Sequence, residues 1–254
     1  MRTCLIALGL LVGMSLAVEA ADTKALVKKL ASSDNEERRA AARELSELGK
    51  EAVSALKPLI KALDDEDRFV RRFAAQAIGN MGPAAKSAIP ALTKLLDDDR
   101  QQVREAAIKS LAKLGPAAVP ALNKAIKGTS DVQELAVTAL GEAGKEGLPG
   151  LTDFLKDSKA PANLRRKAID SLKPLGKDAT STIPVLADIV KSPAGGQDGR
   201  QMRIEAMMAL SRLATPNDKA AVKVLDDIAS NEKLLDNQLK NAAKKALSAI
   251  QKNK

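Results

Sequence analysis

The chain has 254 residues, 45% hydrophobic but only 1% aromatic, with 41 Lys and Arg against 32 Asp and Glu for a formal charge of +9. Any core must therefore be built from Ala, Leu, Ile and Val, which suits closely packed helices, while the basic excess suits anionic partners without bearing on fold. With no His and a single Cys, Cys4, the commonest general base is missing, the best neutral-pH nucleophile is confined to the N-terminal end, and zinc would have to rely on carboxylates.

Residues Met1 to Ala20 read as a secretory leader. Arg2 opens it, Cys4 to Ala17 is the apolar run, and Val18-Glu19-Ala20 places small residues around a cleavage site, expected after Ala20. The run is shorter than the roughly 20 residues of a spanning helix, and Cys4 precedes it instead of following it, which argues against lipid attachment. The mature chain would then be periplasmic or secreted, with no transmembrane segment and no disulfide.

From Ala21 onward a helical-hairpin pattern repeats, so residues 21–254 are expected to form one array. The first copy pairs a short helix at Lys24 to Ala31 with a second at Asp34 to Leu48, capped by Asp34 and ended by Gly49. Copies two and three each set an apolar helix carrying Pro58 or Pro90, then an acidic turn (Asp64 to Asp67, Asp97 to Asp99). A second helix follows, opening on Val70-Arg71 or Val103-Arg104 and closing on Gly82-Pro83 or Gly115-Pro116. At about 100° per residue, Val70, Phe73, Ala74, Ala77, Ile78 and Met81 share one face, Arg72 and Gly79 point the opposite way, and Arg71 lies at the stripe's edge.

Copy four has Gln133 where the others have Arg, and Gly141, Gly144, Gly147 and Gly150 crowd its end, so it is expected to be the softest unit. Copies five and six restore the Arg as Arg165 and Arg203. The turn of copy six lengthens to Ser192 through Arg200, and Pro193, Gly195, Gly196 and Gly199 predict an irregular loop. Copy seven ends in a long helix with Lys240, Lys244 and Lys245, suited to a C-terminal cap. Corresponding positions Glu37, Val70, Val103, Val132, Leu164, Met202 and Leu239 lie 33, 33, 29, 32, 38 and 37 residues apart.

Three features recur in fixed order. They are an Ile-Pro-Ala-Leu type first helix (Ile89 to Leu92, Val119 to Leu122, Ile183 to Leu186), the acidic turn, and a Val-Arg-x-x-Ala-Ala opening (Val70 to Ala75, with a variant at Val103 to Ile108). The combination resembles the HEAT repeat family, in its bacterial phycobilisome-lyase-like variety, over nearly everything after Ala21. The resemblance implies an all-α, right-handed α-solenoid of about seven helical hairpins that acts as a binding scaffold, with the second helices on the concave side. It also implies an Arg–Asp ladder. Arg38, Arg71, Arg104, Arg165 and Arg203 take the ladder position, with Asp34, Asp67, Asp99, Asp198 and Asp236 as acidic partners or helix caps; Gln133 and Lys240 depart from the pattern.

Functional readings divide three ways. The Arg series is a stacking ladder or a binding stripe, and the acidic turns are helix caps or oxygen ligands for calcium, although neither turn has the late Glu of a calcium loop. The second helices carry an excess of Lys and Arg, but Arg39, Arg72 and Arg166 alternate with Glu105 and Glu134, so the face is an anion-binding groove or simply solvated. In copy six, Ile204, Met207 and Met208 project from the stripe as an apolar partner surface, unless neighbouring elements cover them. No cofactor or metal is expected. No Gly-x-Ser-x-Gly elbow or phosphate-cradling loop is present, which argues against an enzyme, including a HEAT-like lyase. The scarcity of aromatics, together with expected export, argues against specific nucleic-acid binding. The reading is an exported, non-catalytic scaffold presenting a concave surface to an unidentified protein partner; the alternative is a basic groove for an anionic polymer or membrane-surface ligand.

Overall fold

The structure, a computed structural model, describes residues 23–192, 196–232 and 234–253. The leader Met1 to Ala20, its Cys4, and the turn residues Pro193 and Gly195 lie outside the described residues. All regular structure among the described residues is helical. It forms seven pairs: α1 (23–30) with α2 (Asn35–Leu48), α3 (Leu56–Ala62) with α4 (Arg68–Asn80), α5 (Ile89–Lys94) with α6 (Gln101–Lys113), and α7 (Val119–Ala125) with α8 (Ser130–Glu142). The rest are α9 (Leu148–Lys156) with α10 (Ala162–Ser171), α11 (Ile183–Lys191) with α12 (Gly196–Leu213), and α13 (Lys219–Ala229) with α14 (Asn237–Ile250). The chain divides into two compact units, one ending at Leu135 and one beginning at Ala136, so the boundary falls inside α8.

Each pair is punctuated by the residues its backbone needs. Asp34, Asp67 and Asp236 sit just before α2, α4 and α14 and accept hydrogen bonds from the first free N–H groups. Five glycines, Gly49, Gly82, Gly115, Gly144 and Gly176, follow the second helices at φ between 49° and 79°, a left-handed turn that a side chain would strain. A 3₁₀ stretch follows each, and the first helices α5, α7, α9 and α11 then begin with Pro in their first turn, where its missing N–H costs nothing.

In the first unit α2, α4 and α6 pack side by side, with α3, α5 and α7 on their flank. Leu59, Leu92 and Leu122 from the first helices and Val70, Val103 and Val132 from the second are all buried. In the second unit α10, α12 and α14 pack in the same way, with Leu164, Met202 and Leu239 buried at the corresponding positions. Because a central second helix is flanked on both sides as well as by its partner, its buried arc is wider than a single stripe.

That width accounts for one departure from the sequence-based expectation, and a second lies in the turn of copy six. Gly79 does not face solvent: it is buried against α6, where a Cβ would stand 2.6 Å from Ser110 Oγ and 2.8 Å from Ser110 Cα. Gly141 makes the same approach to Ser171 in the second unit, at 2.6 Å from its Cβ, and a Cβ on Gly147 would stand 1.9 Å from the Leu140 carbonyl oxygen. Gly141 and Gly147 of copy four are thus placed by close contact, whereas Gly144 makes a left-handed turn with nothing within 4 Å of its Cβ position. The loop expected over Ser192 to Arg200 is also shorter, since Gly196 to Arg200 form the first turns of α12. Asp198 in that first turn favours the helix dipole, and Arg200 is anchored to Asp236 at 2.9 Å.

Candidate functional site

In the first unit the arginines at the stripe's edge bridge successive repeats. Arg38 donates from Nε to Asp65 at 2.8 Å and from Nη2 to the same carboxylate at 3.1 Å. Arg71 holds Asp98 at the same two distances, and Arg104 reaches Asp131 at 2.9 Å. The offset is 27 residues each time. The third guanidinium nitrogen turns back to the carbonyls of its own acidic turn: Ser32 and Ser33 for Arg38, Asp65 and Glu66 for Arg71, and Asp98 for Arg104. These charge-assisted, largely two-pronged bonds are mostly buried, so they fix the spacing of adjacent repeats.

The acidic partners differ from those expected. Asp65 and Asp98, two residues ahead of the helix N-caps, take the ladder role and also accept the N–H of Asp67 and Arg100. Asp34, Asp67 and Asp236 take the other expected role and cap helices, Asp236 while pairing with Arg200, and Asp99 adds a secondary bond to Arg71 at 3.2 Å. Asp198 lies 3.9 Å from Arg166, which is not one of the ladder arginines.

Among the described residues of the second unit the ladder arginines bond no carboxylate. Arg165 donates from Nη2 to the Leu155 carbonyl at 2.8 Å, and its buried Nε has no partner; Arg203 donates from Nε to the Val190 carbonyl at 2.9 Å. Burial pushes both guanidinium pKa values below the usual range, with Asp157 and Asp236 acting weakly in the opposite sense. The ladder reading of Arg165 and Arg203 is corrected accordingly: they carry the shape of the contact without its charge pairing.

The proposed partner-contact residues also separate. Arg166 is committed to Glu205, buried in the second unit, at 3.0 Å, because that carboxylate needs a counter-charge. Met207 is wholly buried, Ile204 is half-buried, and only Met208 is exposed, at 41%. The apolar cluster of copy six is therefore mostly core, because α10, α11 and α14 surround α12. Arg39 pairs with Glu36 and with Asp67, and that bond, with the N–H groups of Val70 and Phe69, draws the Asp67 carboxyl down to about 2.

Arg72 is different. Its guanidinium lies over Phe73 at 4.6 Å and over Phe69 at 5.5 Å, and the latter ring also carries Arg68 at 4.7 Å and Arg39 at 5.0 Å. Among the described residues neither Arg68 nor Arg72 is bonded to a carboxylate, and Arg72 Nε is buried without a hydrogen-bond partner. Arg68, Phe69, Arg72, Arg100, Gln102 and Val103 line a hollow of about 130 Å³ between the starts of α4 and α6. Cation–π contact offsets part of the repulsion among the guanidinium groups and holds them in place. The arrangement can receive an anion but supplies no general base or nucleophile. A larger hollow of about 780 Å³ lies beside Arg38 and Asp65, whose charges are already spent on each other. Among the described residues no three Asp or Glu side chains are grouped to hold a metal ion, and no helix is long and apolar enough to cross a membrane.

Arg68 and Arg100 were not singled out from the sequence, although a signal was present. The N-cap position reads Asp34, Asp67, Arg100 at intervals of 33.

Comparison with known proteins agrees with the repeat architecture. The family model for HEAT repeats matches residues 23–112 and again 57–131. Among solved structures, an engineered protein from the Northeast Structural Genomics Consortium is 23% identical, with a TM-score of 0.54 over 90% of this chain and 68% of that one. The complex of CpcE and CpcF of phycocyanin lyase from Nostoc sp. PCC7120 is 22% identical, with a TM-score of 0.49 over 90% of this chain and 94% of that one. No curated protein matches. The all-helical pairs and the recurring Arg–Asp bridges of the first unit accord with this match, so residues 23–131 are HEAT repeats.

Proposed function

We propose that this chain is an exported, non-catalytic scaffold that binds a protein partner through the face formed by its second helices. The observation that carries the reading is the cluster on α4, where the guanidinium groups of Arg68 and Arg72 lie over Phe69 and Phe73 without a bonded carboxylate. Arg and aromatic side chains, held rigidly and half-buried, are the groups that concentrate contact energy in protein interfaces. Elsewhere in the first unit Arg38, Arg39, Arg71 and Arg104 bridge repeats and Arg43 pairs with Glu47 on its own helix. The decisive measurement is capture: the immobilised protein, exposed at high salt to an envelope extract of its own cells, retains a protein partner, and the Arg68→Ala, Arg72→Ala double variant loses it. Equal retention by parent and double variant refutes the reading. Export is tested on its own by sequencing the N-terminus of the mature protein, expected to begin at Ala21.

A second reading, a basic groove for an anionic polymer or membrane surface, is favoured by Arg100, which adds a third guanidinium to the same hollow. The two readings separate by salt, since a polyanion held by charge alone is released steeply as ionic strength rises.

A further inference from the structure

The first three second helices begin with the same backbone design, and the cluster around Phe69 is what one substitution does to it. At α4 the N-cap is Asp67. Its Oδ1 accepts the N–H groups of Phe69 and Val70 at 2.8 and 3.1 Å, and its Oδ2 accepts Nη2 of Arg39 from the preceding second helix. One carboxylate thus serves a helix start and a guanidinium at once. One repeat on, Arg72 stands 33 residues after Arg39, and the residue 33 after Asp67 is Arg100. Arg100 is the N-cap of α6 and makes no side-chain cap bond. Its own ion pair is with Asp99, at 3.2 Å between two exposed side chains, a contact worth little. Glu105, which continues the row of Arg39 and Arg72, is engaged on its own helix by Gln101 at 2.9 Å and Lys109 at 3.7 Å. Arg68, Arg72 and Arg100 thus line the hollow in front of α6 with no carboxylate among its lining residues.

We infer that this hollow binds a carboxylate from an acidic segment of the protein partner, which takes relative to Arg72 and α6 the place that Asp67 takes relative to Arg39 and α4. The inference rests on the scaffold reading above and names the group recognised. A carboxylate is favoured over a phosphate because the preceding repeat already solves the same geometry with a carboxylate. The hollow of about 130 Å³ admits one such group, and a guanidinium that lines it can give that group a charge-assisted contact. Phe69 and Phe73 hold Arg68 and Arg72 in place before the ligand arrives, which lowers the entropy cost of binding.

The test uses the full protein and a short fluorescein-labelled peptide alternating Glu and Gly, followed by anisotropy. The parent binds this peptide and not its Gln–Gly counterpart. Arg72→Gln weakens binding roughly tenfold to hundredfold, as expected for loss of one charge-assisted contact. Arg100→Asp restores the carboxylate of the other two repeats; it abolishes peptide binding while its melting midpoint stays at or above the parent's, so lost binding is not lost folding. Lys50→Asp, with the same change in net charge at the far end of α2, binds like the parent. Parent-like peptide affinity in Arg100→Asp, equal binding of the Gln–Gly peptide, or tighter binding of oligouridylate than of the Glu peptide each overturns the inference. Full retention of a protein partner by Arg100→Asp also overturns it and leaves the scaffold reading standing. A parent that binds the peptide but captures no protein overturns the scaffold reading alone.

Discussion

Replacing Gly79 with Ala sets two physical effects against each other, and the structure decides the sign. Helix propensity favours the change by about 1 kcal/mol, because Gly in a helix interior is poorer than Ala by that amount. Against it, the new Cβ would stand 2.6 Å from Ser110 Oγ and 2.8 Å from both Ser110 Cα and Cβ, where ordinary carbon contacts need about 3.5 to 4 Å. Turning the hydroxyl away does not solve this, because the Cα cannot move without α6. It would also break the bonds from Ser110 Oγ to the Ala75 and Ala106 carbonyls, each 2.7 Å. The helices must therefore separate by about 1 Å along their contact. Overpacking of this kind costs about 1 to 3 kcal/mol, and a strained or lost hydrogen bond about 1 kcal/mol more. The net is a loss of roughly 1 to 3 kcal/mol, or a fall in melting midpoint of about 2 to 12 °C for a chain of this size. Thermal unfolding followed by far-UV circular dichroism measures it, with the exposed Gln76→Ala in the same helix as a control. A midpoint raised in Gly79→Ala would mean that the α4–α6 contact is looser than described and would refute the argument.

Gly141→Ala should destabilise in the same assay, but Ser171→Gly should rescue it, since only the Ser171 side chain crowds that position and its Cα lies at 3.6 Å; failure of rescue counts against the contact. Arg71→Met should cost about 3 kcal/mol in urea denaturation, because it leaves the mostly buried Asp98 carboxylate unpaired. Arg165→Met should fall within about 1 kcal/mol of the parent, since it removes a partly buried charge that bonds only a carbonyl; equal losses in the two would refute the distinction. Asp67 has its carboxyl lowered from 3.8 to about 2, so its contribution is complete above the unfolded value and is lost as pH falls through the folded one. The urea midpoint should therefore drop between about pH 5 and pH 2, and less steeply in Asp67→Asn. An identical acid profile in that variant would remove Asp67 from the account.

The repeat was legible because its apolar positions follow one helical period and its glycines and prolines sit where backbone geometry demands them. The ladder arginines of the first unit were legible for the same reason, but their partners were not. An acidic turn such as Asp64 to Asp67 offers several carboxylates within one turn, and only the reach of Arg38 across to the next repeat selects Asp65 over the cap. Arg165 and Arg203 looked identical to Arg71 on a helical wheel, yet the residues 27 positions on are Ser192 and Ser230. Met207 and Gly79 were placed outward by a wheel that assumes one buried stripe; helices packed on several sides bury more of their circumference. The cluster at Phe69 was half visible. Arg72 stood out as a face residue, while Arg100 carried its meaning only when position 100 was compared with positions 34 and 67.

The constant offset of the first-unit bridges makes the ladder a matter of interchangeable parts. Each repeat offers an arginine forward and an aspartate backward, and Arg38 and Arg71 find their partners 27 residues on in the same geometry. Excising residues 49–81, one period of 33, would carry Asp98 to the position of Asp65 and set it before Arg38 with the same bonds available. Repeats joined by such a coupling can be lost, gained or shuffled without inventing a new interface, so the length of the stack and the character of its outward face are free to change independently.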